Sequence, residues 1–163
     1  MASPLGRRGR HLLLIPGYRC TVSLIAKARQ LLATEHTASI ATVSPDGDPW
    51  ISNLYYALLP APGISLAVLT AADSAHARHW QNHPLVAVSV FSHPDVPRSE
   101  VRGLQLLGHC QLGGGQQVKQ SYLTRFPDAA TLPGSQSYYV VDVSWLRLLE
   151  RRTGYLEEAT IRP

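Results

Sequence analysis

The feature that most constrains this chain is a pair of turn signals, Pro45-Asp46-Gly47 and Pro60-Ala61-Pro62-Gly63, each flanked by segments in which apolar residues alternate with polar ones. Proline presets φ at the first corner of a turn and glycine accepts positive φ, so such runs reverse the chain within a few residues. Residues 37–43, 50–58 and 64–70 are therefore expected to form three strands joined by two hairpins, an antiparallel meander.

The pattern before and after this meander extends it. From Thr21, a candidate N-cap, to Thr34, Leu24, Ile25, Ala28, Leu31 and Leu32 recur on one side, with Ser23, Lys27, Gln30 and Thr34 opposite. This spacing predicts an amphipathic helix packed on the sheet. Asp73 or Ser74 is expected to cap a short helix ending near Asn82, before His83-Pro84. Residues 85–91 are apolar almost throughout, which predicts a strand buried on both faces.

Residues 101–112 alternate, with Leu104, Leu106, Cys110 and Leu112 expected toward the core and Gly103, Gln105, His109 and Gln111 on the polar side. Gly113-Gly114-Gly115 breaks this strand, residues 116–125 read as a helix ended by Phe126-Pro127, and residues 138–143 and 145–149 read as closing strands. The expected fold is mainly β: a six- to seven-stranded antiparallel barrel with peripheral helices. No internal repeat or linker divides it, so residues 21–163 are expected as one domain behind a basic, disordered N-terminal tail, residues 1–20.

Composition narrows the function classes. With 163 residues, 45% of them hydrophobic, the chain can bury roughly two thirds of its unfolded surface. The apolar stretch at residues 12–15 stops at Pro16-Gly17, short of a membrane span and of a secretory h-region, so neither is expected. Cys20 and Cys110 are far apart and lack metal-ligand spacing, a pattern suited to a reducing cytoplasm. The net charge of +4 owes much to Arg7/Arg8/Arg10 and Arg151/Arg152, and no nucleic-acid partner is expected from it.

The chain carries no GxSxG, HExxH or phosphate-cradling glycine loop, and no catalytic residue is singled out. It does offer a candidate anion site over residues 70–79, where a strand ending in Thr70 runs into a helix start bearing Ser74 and histidines. First-turn amides lack intrahelical partners, and the helix dipole adds partial positive charge there.

The run LAVLTAADSAHARHWQNHPLVAVSVF, preceded by DGDPWISNLYY and followed by RGLQLLG, resembles the pyridoxamine 5'-phosphate oxidase-like family of split β-barrels that bind flavin mononucleotide (FMN), over roughly residues 22–127. The resemblance implies a homodimer with FMN at the subunit interface and a small organic substrate. It implies that Ser52, Asn53, Leu54 and Tyr55 lie along the isoalloxazine ring, and that Leu69 and Thr70 help hold the flavin. Ser74, Ala75 and His76 stand where the family holds phosphate with Ser-Arg-Lys, and Gly103 where a residue reaches the flavin from a later strand.

Ala75-His76 gives up one permanent charge and makes the other depend on pH. Asp73 at the helix cap would repel phosphate, and the family oxidases' C-terminal Arg-x-His substrate element has no counterpart, so vitamin B6 chemistry is not expected. Some barrels of this type handle haem, for which His76, His79, His83, His93 and His109 are the available imidazoles. The resemblance implies an oxidoreductase; the alternatives are a non-catalytic module that holds flavin or haem without turnover, and a deazaflavin-dependent reductase.

Overall fold

The computed structural model describes residues 18–60, 62–92, 95, 97, 100–150 and 155–161. Both arginine clusters, His93 and Arg98 lie outside the described residues. In chain order the elements are α1 (Tyr18–Thr34), β1 (Thr37–Val43), β2 (Pro49–Leu58), β3 (Ser65–Ala71), α2 (Ala75–Asn82), β4 (Leu85–Phe91), β5 (Arg102–Leu112), α3 (Gln116–Arg125), a 3-10 helix (Pro127–Thr131), β6 (Gln136–Glu150) and β7 (Tyr155–Thr160).

The first hairpin turns as its Pro-Asp-Gly run requires. Gly47 sits at φ 90°, its N–H donates to the Ser44 carbonyl at 3.0 Å, and the Ser44 N–H donates to the Asp48 carbonyl at 2.9 Å. The strands are ordered β3-β2-β1-β4-β5-β6-β7, every neighbouring pair is antiparallel, and β3 also pairs with β6. Six strands thus close into a barrel, and β7 adds to the outside edge of β6. Its interior is filled by Ile40, Tyr56, Leu66, Val68, Val88, Leu104, Leu106, Val141, Leu146 and Leu148.

Helix α1 starts at Tyr18, three residues before Thr21, and buries Leu24, Ala28, Leu31 and Leu32 against this core. Its C-terminal carbonyls are satisfied from elsewhere in the fold. Tyr56 Oη donates to the Leu32 carbonyl at 2.9 Å, and the Arg125 guanidinium donates to the carbonyls of Leu32 at 3.5 Å, Ala33 at 3.1 Å and Glu35. Arg125 ends α3, so one side chain ties α3 to α1. Between α3 and the barrel wall lies a second apolar cluster of Ala57, Ala67, Leu69 and Tyr122.

Three expectations are corrected. Strand β4 is buried on one face only: Val86, Val88 and Val90 face the core, while Leu85 and Phe91 are 65% and 58% exposed. The run is apolar on both sides because its outer face belongs to a broad apolar ledge, described below. Leu112 lies outside the core at 69% exposure, because β5 there runs past the start of β4, whose last pair with it is Leu85 with His109, and is held by β6 alone. The two closing strands are one continuous β6 with a bulge: Leu107 pairs with Trp145 and Gly108 with Val143, so Ser144 is the extra residue.

Strand β7 was not anticipated. Its Tyr-Leu-Glu-Glu-Ala-Thr sequence has no turn signal and little alternation. It is held by the ladder to β6 and by ion pairs, Glu157 to Lys27 at 2.7 Å and Glu158 to Arg147 at 2.6 Å, each worth about 0–1 kcal/mol at such partly exposed positions.

Candidate functional site

The barrel wall opens between β2 and β3. The two strands pair only over Tyr56–Leu58 and Leu66–Val68. Beyond that point β2 stays on β1 as far as Pro49, while β3 stays on β6 through Ala71. The slot so formed is flanked by Ser52 and Leu54 on one side and Leu69 and Thr70 on the other, and α2 follows directly from the β3 end.

The start of α2 is built by Ser74. Its backbone is extended (φ −64°, ψ 154°), and its hydroxyl accepts from the Ala77 N–H at 3.3 Å, which is N-cap geometry. The Ser74 N–H is itself taken by the Ala71 carbonyl at 3.0 Å. His76, His79 and Trp80 then fall at i, i+3 and i+4, so they share one helix face, and that face closes the barrel end: His79 and Trp80 are buried and His76 half-buried.

His76 spans the slot. Its Nδ1 lies 3.1 Å from Ser52 Oγ on β2 and its Nε2 lies 2.7 Å from Thr70 Oγ1 on β3. Thr70 Oγ1 in turn donates to Ser74 Oγ at 3.4 Å. Ser52, Thr70, Ser74 and His76 therefore form one connected polar corner. Burial, and secondarily the neighbouring His79, hold the His76 pKa below the ordinary imidazole range. His79 is occupied separately, with Nδ1 3.0 Å from Thr42 Oγ1.

The corner suits a phosphate group in its donors. The Thr70 and Ser74 hydroxyls meet at a helix start, with Ser52 across the His76 ring, and the first-turn amides not taken by Ser74 lack intrahelical partners. The indole Nε1 of Trp80, whose ring lies 5.0 Å from that of His76, is buried with no hydrogen-bond partner among the described residues. The charge is a poorer match: Arg78, the cation nearest in sequence, donates to the Asp73 backbone carbonyl, and Asp73 is exposed at the cap.

The remaining sequence-predicted residues divide between two faces. Ser52 and Leu54 face the interior side of β2, whereas Asn53 and Tyr55 face outward; Asn53 Oδ1 accepts from Ser39 Oγ at 2.7 Å, and the Tyr55 ring lies 5.3 Å from that of Phe126. Leu69 points the other way from Thr70 and is covered by α3. Ala75 offers backbone only at the helix start. Gly103 is not brought to the corner: it pairs with Phe91 and Leu149, while Thr70 pairs with Ser137 at the other end of β6. A Cβ on Gly103 would stand 2.9 Å from the Phe91 ring, and a small cleft of about 150 Å³ opens beside it, lined in part by Phe91, Gln105, Arg147 and Leu149.

Outward from the slot runs an apolar ledge. The register places Ile51, Ala41, Ala87 and Leu107 in one row across β2, β1, β4 and β5, and Ile51, Tyr55, Phe91 and Leu107 are 65%, 59%, 58% and 48% exposed. Of the other candidate histidines, His83 and His109 are exposed. No group of three or more metal-ligating side chains occurs among the described residues. Among those residues no helix is long and apolar enough to cross a membrane.

Sequence reasoning named Ser52, Thr70, Ser74 and His76 separately and missed two things, the imidazole bridge among them and the burial of His79 on Thr42. The His-x-x-His-Trp spacing, read as a helix face, was the available signal for the second.

Comparison with known proteins agrees with this architecture. A haem binding protein of Mycobacterium smegmatis superposes with a TM-score of 0.68 at 18% identity, covering 82% of this chain and 56% of the other, so the chain spans little more than half of that protein. A NimC/NimA family protein of Clostridium acetobutylicum gives 0.66 at 12% identity over 86% and 94% of the two chains. An FAD-binding protein of Mesorhizobium loti gives 0.59 at 17% identity over 76% and 91%. No curated protein matches the sequence. The family model described as pyridoxamine 5'-phosphate oxidase matches residues 24–149, and the chain belongs to that family.

Proposed function

We propose that this protein is an FMN-binding flavoprotein in which the phosphate sits at the Ser52–Thr70–Ser74 corner and the isoalloxazine ring extends through the slot onto the ledge beside Ile51 and Tyr55. The observation that carries the reading is the meeting of the Thr70 and Ser74 hydroxyls at a helix start, with Ser52 linked to them through His76, beside open apolar surface. A ligand with an anionic tail and a flat apolar head is complementary to both parts. When bound, FMN supplies two-electron redox chemistry. The chain's own contribution is to hold and orient it for a small organic substrate.

The ledge also supports a homodimer. An uncharged row across four strands is the kind of surface a second copy of the chain covers. Gly103, remote from Thr70 within one chain, would join the flavin only from that second copy.

The test is reconstitution of the purified protein with FMN, haem and a deazaflavin in parallel, followed by gel filtration and absorption spectroscopy. Retention of a flavin spectrum with one FMN per chain is expected. Retention of haem with a Soret band and no flavin would replace this reading with a haem-binding one, and the deazaflavin alone would name that cofactor instead.

A further inference from the structure

Away from the slot, the outer face of the barrel carries one polar row. The register aligns Asn53, Ser39, Ser89, Gln105, Arg147 and Glu158 across neighbouring strands from β2 to β7. On one side of it runs the apolar row through Ile51 and Leu107, and on the other the row that pairs Phe91 with Gly103 and Leu149. Arg147 reaches this face because of the bulge in β6. Val141 and Val143 point into the core, and strict alternation would send Arg147 in after them; with Ser144 as the extra residue, Leu146 and Leu148 fill the core instead and Arg147 lies outside.

The cleft of about 150 Å³ beside Gly103 opens at this row. Its polar wall is Ser89, Gln105 and Arg147, and its apolar wall is the exposed Phe91 and Leu149. The polar wall offers donors. Arg147 Nε and Nη2 both donate to one oxygen, Glu158 Oε1, at 2.8 and 2.6 Å, and Nη1 donates to Gln105 Oε1 at 3.3 Å. A guanidinium has five N–H groups, so one on Nη1 and one on Nη2 are left without a partner among the described residues. Gln105 turns its oxygen to Arg147, which leaves its amide N–H groups over, and the exposed Ser89 hydroxyl adds another donor. No carboxylate among the described residues lines the cleft. The guanidinium is also held in place, since its Cζ lies 5.2 Å from the centre of the Trp145 ring. A stacked ring, a carboxylate and an amide thus fix it before any ligand arrives.

We propose that this cleft binds a small organic monocarboxylate with a flat apolar body. The carboxylate takes the two remaining Arg147 N–H groups beside Gln105 and Ser89, and the body lies against Phe91 and Leu149. Three features set that class. Two N–H groups on the paired nitrogens of one guanidinium match the two oxygens of a carboxylate. Glu158 already offsets the guanidinium charge, which favours a monoanion over the dianion of a phosphate ester. The volume is well below the roughly 300–1,000 Å³ of pockets for drug-sized ligands, which limits the body to about one ring. The site goes beyond the flavin reading and does not rest on it: Gly103 and Leu149 pair near the Glu150 end of β6, whereas Thr70 pairs with Ser137 at the other.

Benzoate is the probe, titrated into the ligand-free, full-length protein at low salt. It should bind saturably, with NMR shifts concentrated at the Gly103 amide, the Gln105 side-chain amide and the Arg147 Nε–H. Benzamide, which keeps the ring and lacks the charge, should bind at least about tenfold more weakly. Arg147→Gln should weaken benzoate by a similar factor, and the partly exposed ion pair it removes contributes too little to prevent folding. Phe91→Ala should weaken benzoate and leave acetate, which has no ring, unaffected.

Glu158→Gln is the decisive variant. It removes the competing carboxylate and keeps its shape, so benzoate should bind several-fold more tightly, a gain that a purely structural ion pair does not produce. Shifts scattered over other residues, equal affinity for benzamide, or a Glu158→Gln variant no tighter than wild type would overturn the proposal. Competition between benzoate and FMN would also overturn it, because the cleft would then be the second copy's share of the flavin site.

Discussion

Replacing Thr70 with valine removes the central oxygen of the polar corner while keeping the side chain's shape. Thr70 is 8% exposed, and its Oγ1 is hydrogen-bonded to His76 Nε2 at 2.7 Å and donates to Ser74 at 3.4 Å. A net hydrogen bond contributes about 1 kcal/mol, and leaving a buried partner unsatisfied costs about 1–3 kcal/mol. His76 is only half-buried, so water reaches part of the vacated site, and the Ser74 bond is long. A loss of about 1–2 kcal/mol is expected, which at this chain length lowers Tm by about 3–6 °C.

With FMN bound, the Thr70 hydroxyl turns from Ser74 to the phosphate, and the same substitution then removes one hydrogen bond to an anionic oxygen, worth about 1.5–3 kcal/mol, so FMN should bind about 10- to 150-fold more weakly. Riboflavin should be nearly unaffected. Differential scanning calorimetry and flavin-fluorescence titrations provide both numbers, and a cycle with His76→Gln should show coupling of about 1 kcal/mol between residues 70 and 76. A Tm within about 1 °C of wild type together with an unchanged FMN-to-riboflavin ratio would refute the reasoning.

A methyl on Gly108 would stand 2.5 Å from the Asp142 carbonyl oxygen across the β5–β6 bulge, so Gly108→Ala should cost about 1–3 kcal/mol or more by thermal unfolding. Gly103→Ala meets only the exposed Phe91 ring, which can swing away, and should cost less than half as much. Because the His76 pKa is lowered on folding, the unfolded chain binds the extra proton first. The imidazole's contribution to stability is therefore full above about pH 6.5 and is lost as pH falls below it; a urea-unfolding series should show this slope in wild type and its reduction in His76→Gln. Glutamate at both Ile51 and Leu107 should abolish dimerisation in sedimentation velocity, whereas a wild type that sediments as a monomer would remove the role given to the ledge.

The barrel was legible because its breaks are chemically explicit: Pro45-Asp46-Gly47 turns β1 into β2, and the glycine triplet separates β5 from α3. What escaped were features decided between strands. Ser144 reads as an interruption in sequence, yet a bulge lets β6 run through it, and β7 depends on β6 and Lys27 rather than on its own pattern. The two-sided apolar run of β4 was legible as a strand but not as a ledge, since periodicity alone does not say what covers the second face. The candidate site shows the same division. Family motifs gave Ser52, Thr70, Ser74 and His76, but the bridge between Ser52 and Thr70 exists only because β2 and β3 part company before Tyr56 and after Val68.

The central claim is that the Ser52–Thr70–Ser74 corner holds the flavin phosphate, and a crystal structure of the protein grown with FMN near pH 6 tests it most directly. Phosphate oxygens are expected within hydrogen-bond distance of the Ser52, Thr70 and Ser74 hydroxyls. Phosphate density elsewhere, with the Ser52–His76–Thr70 bridge intact, would contradict it.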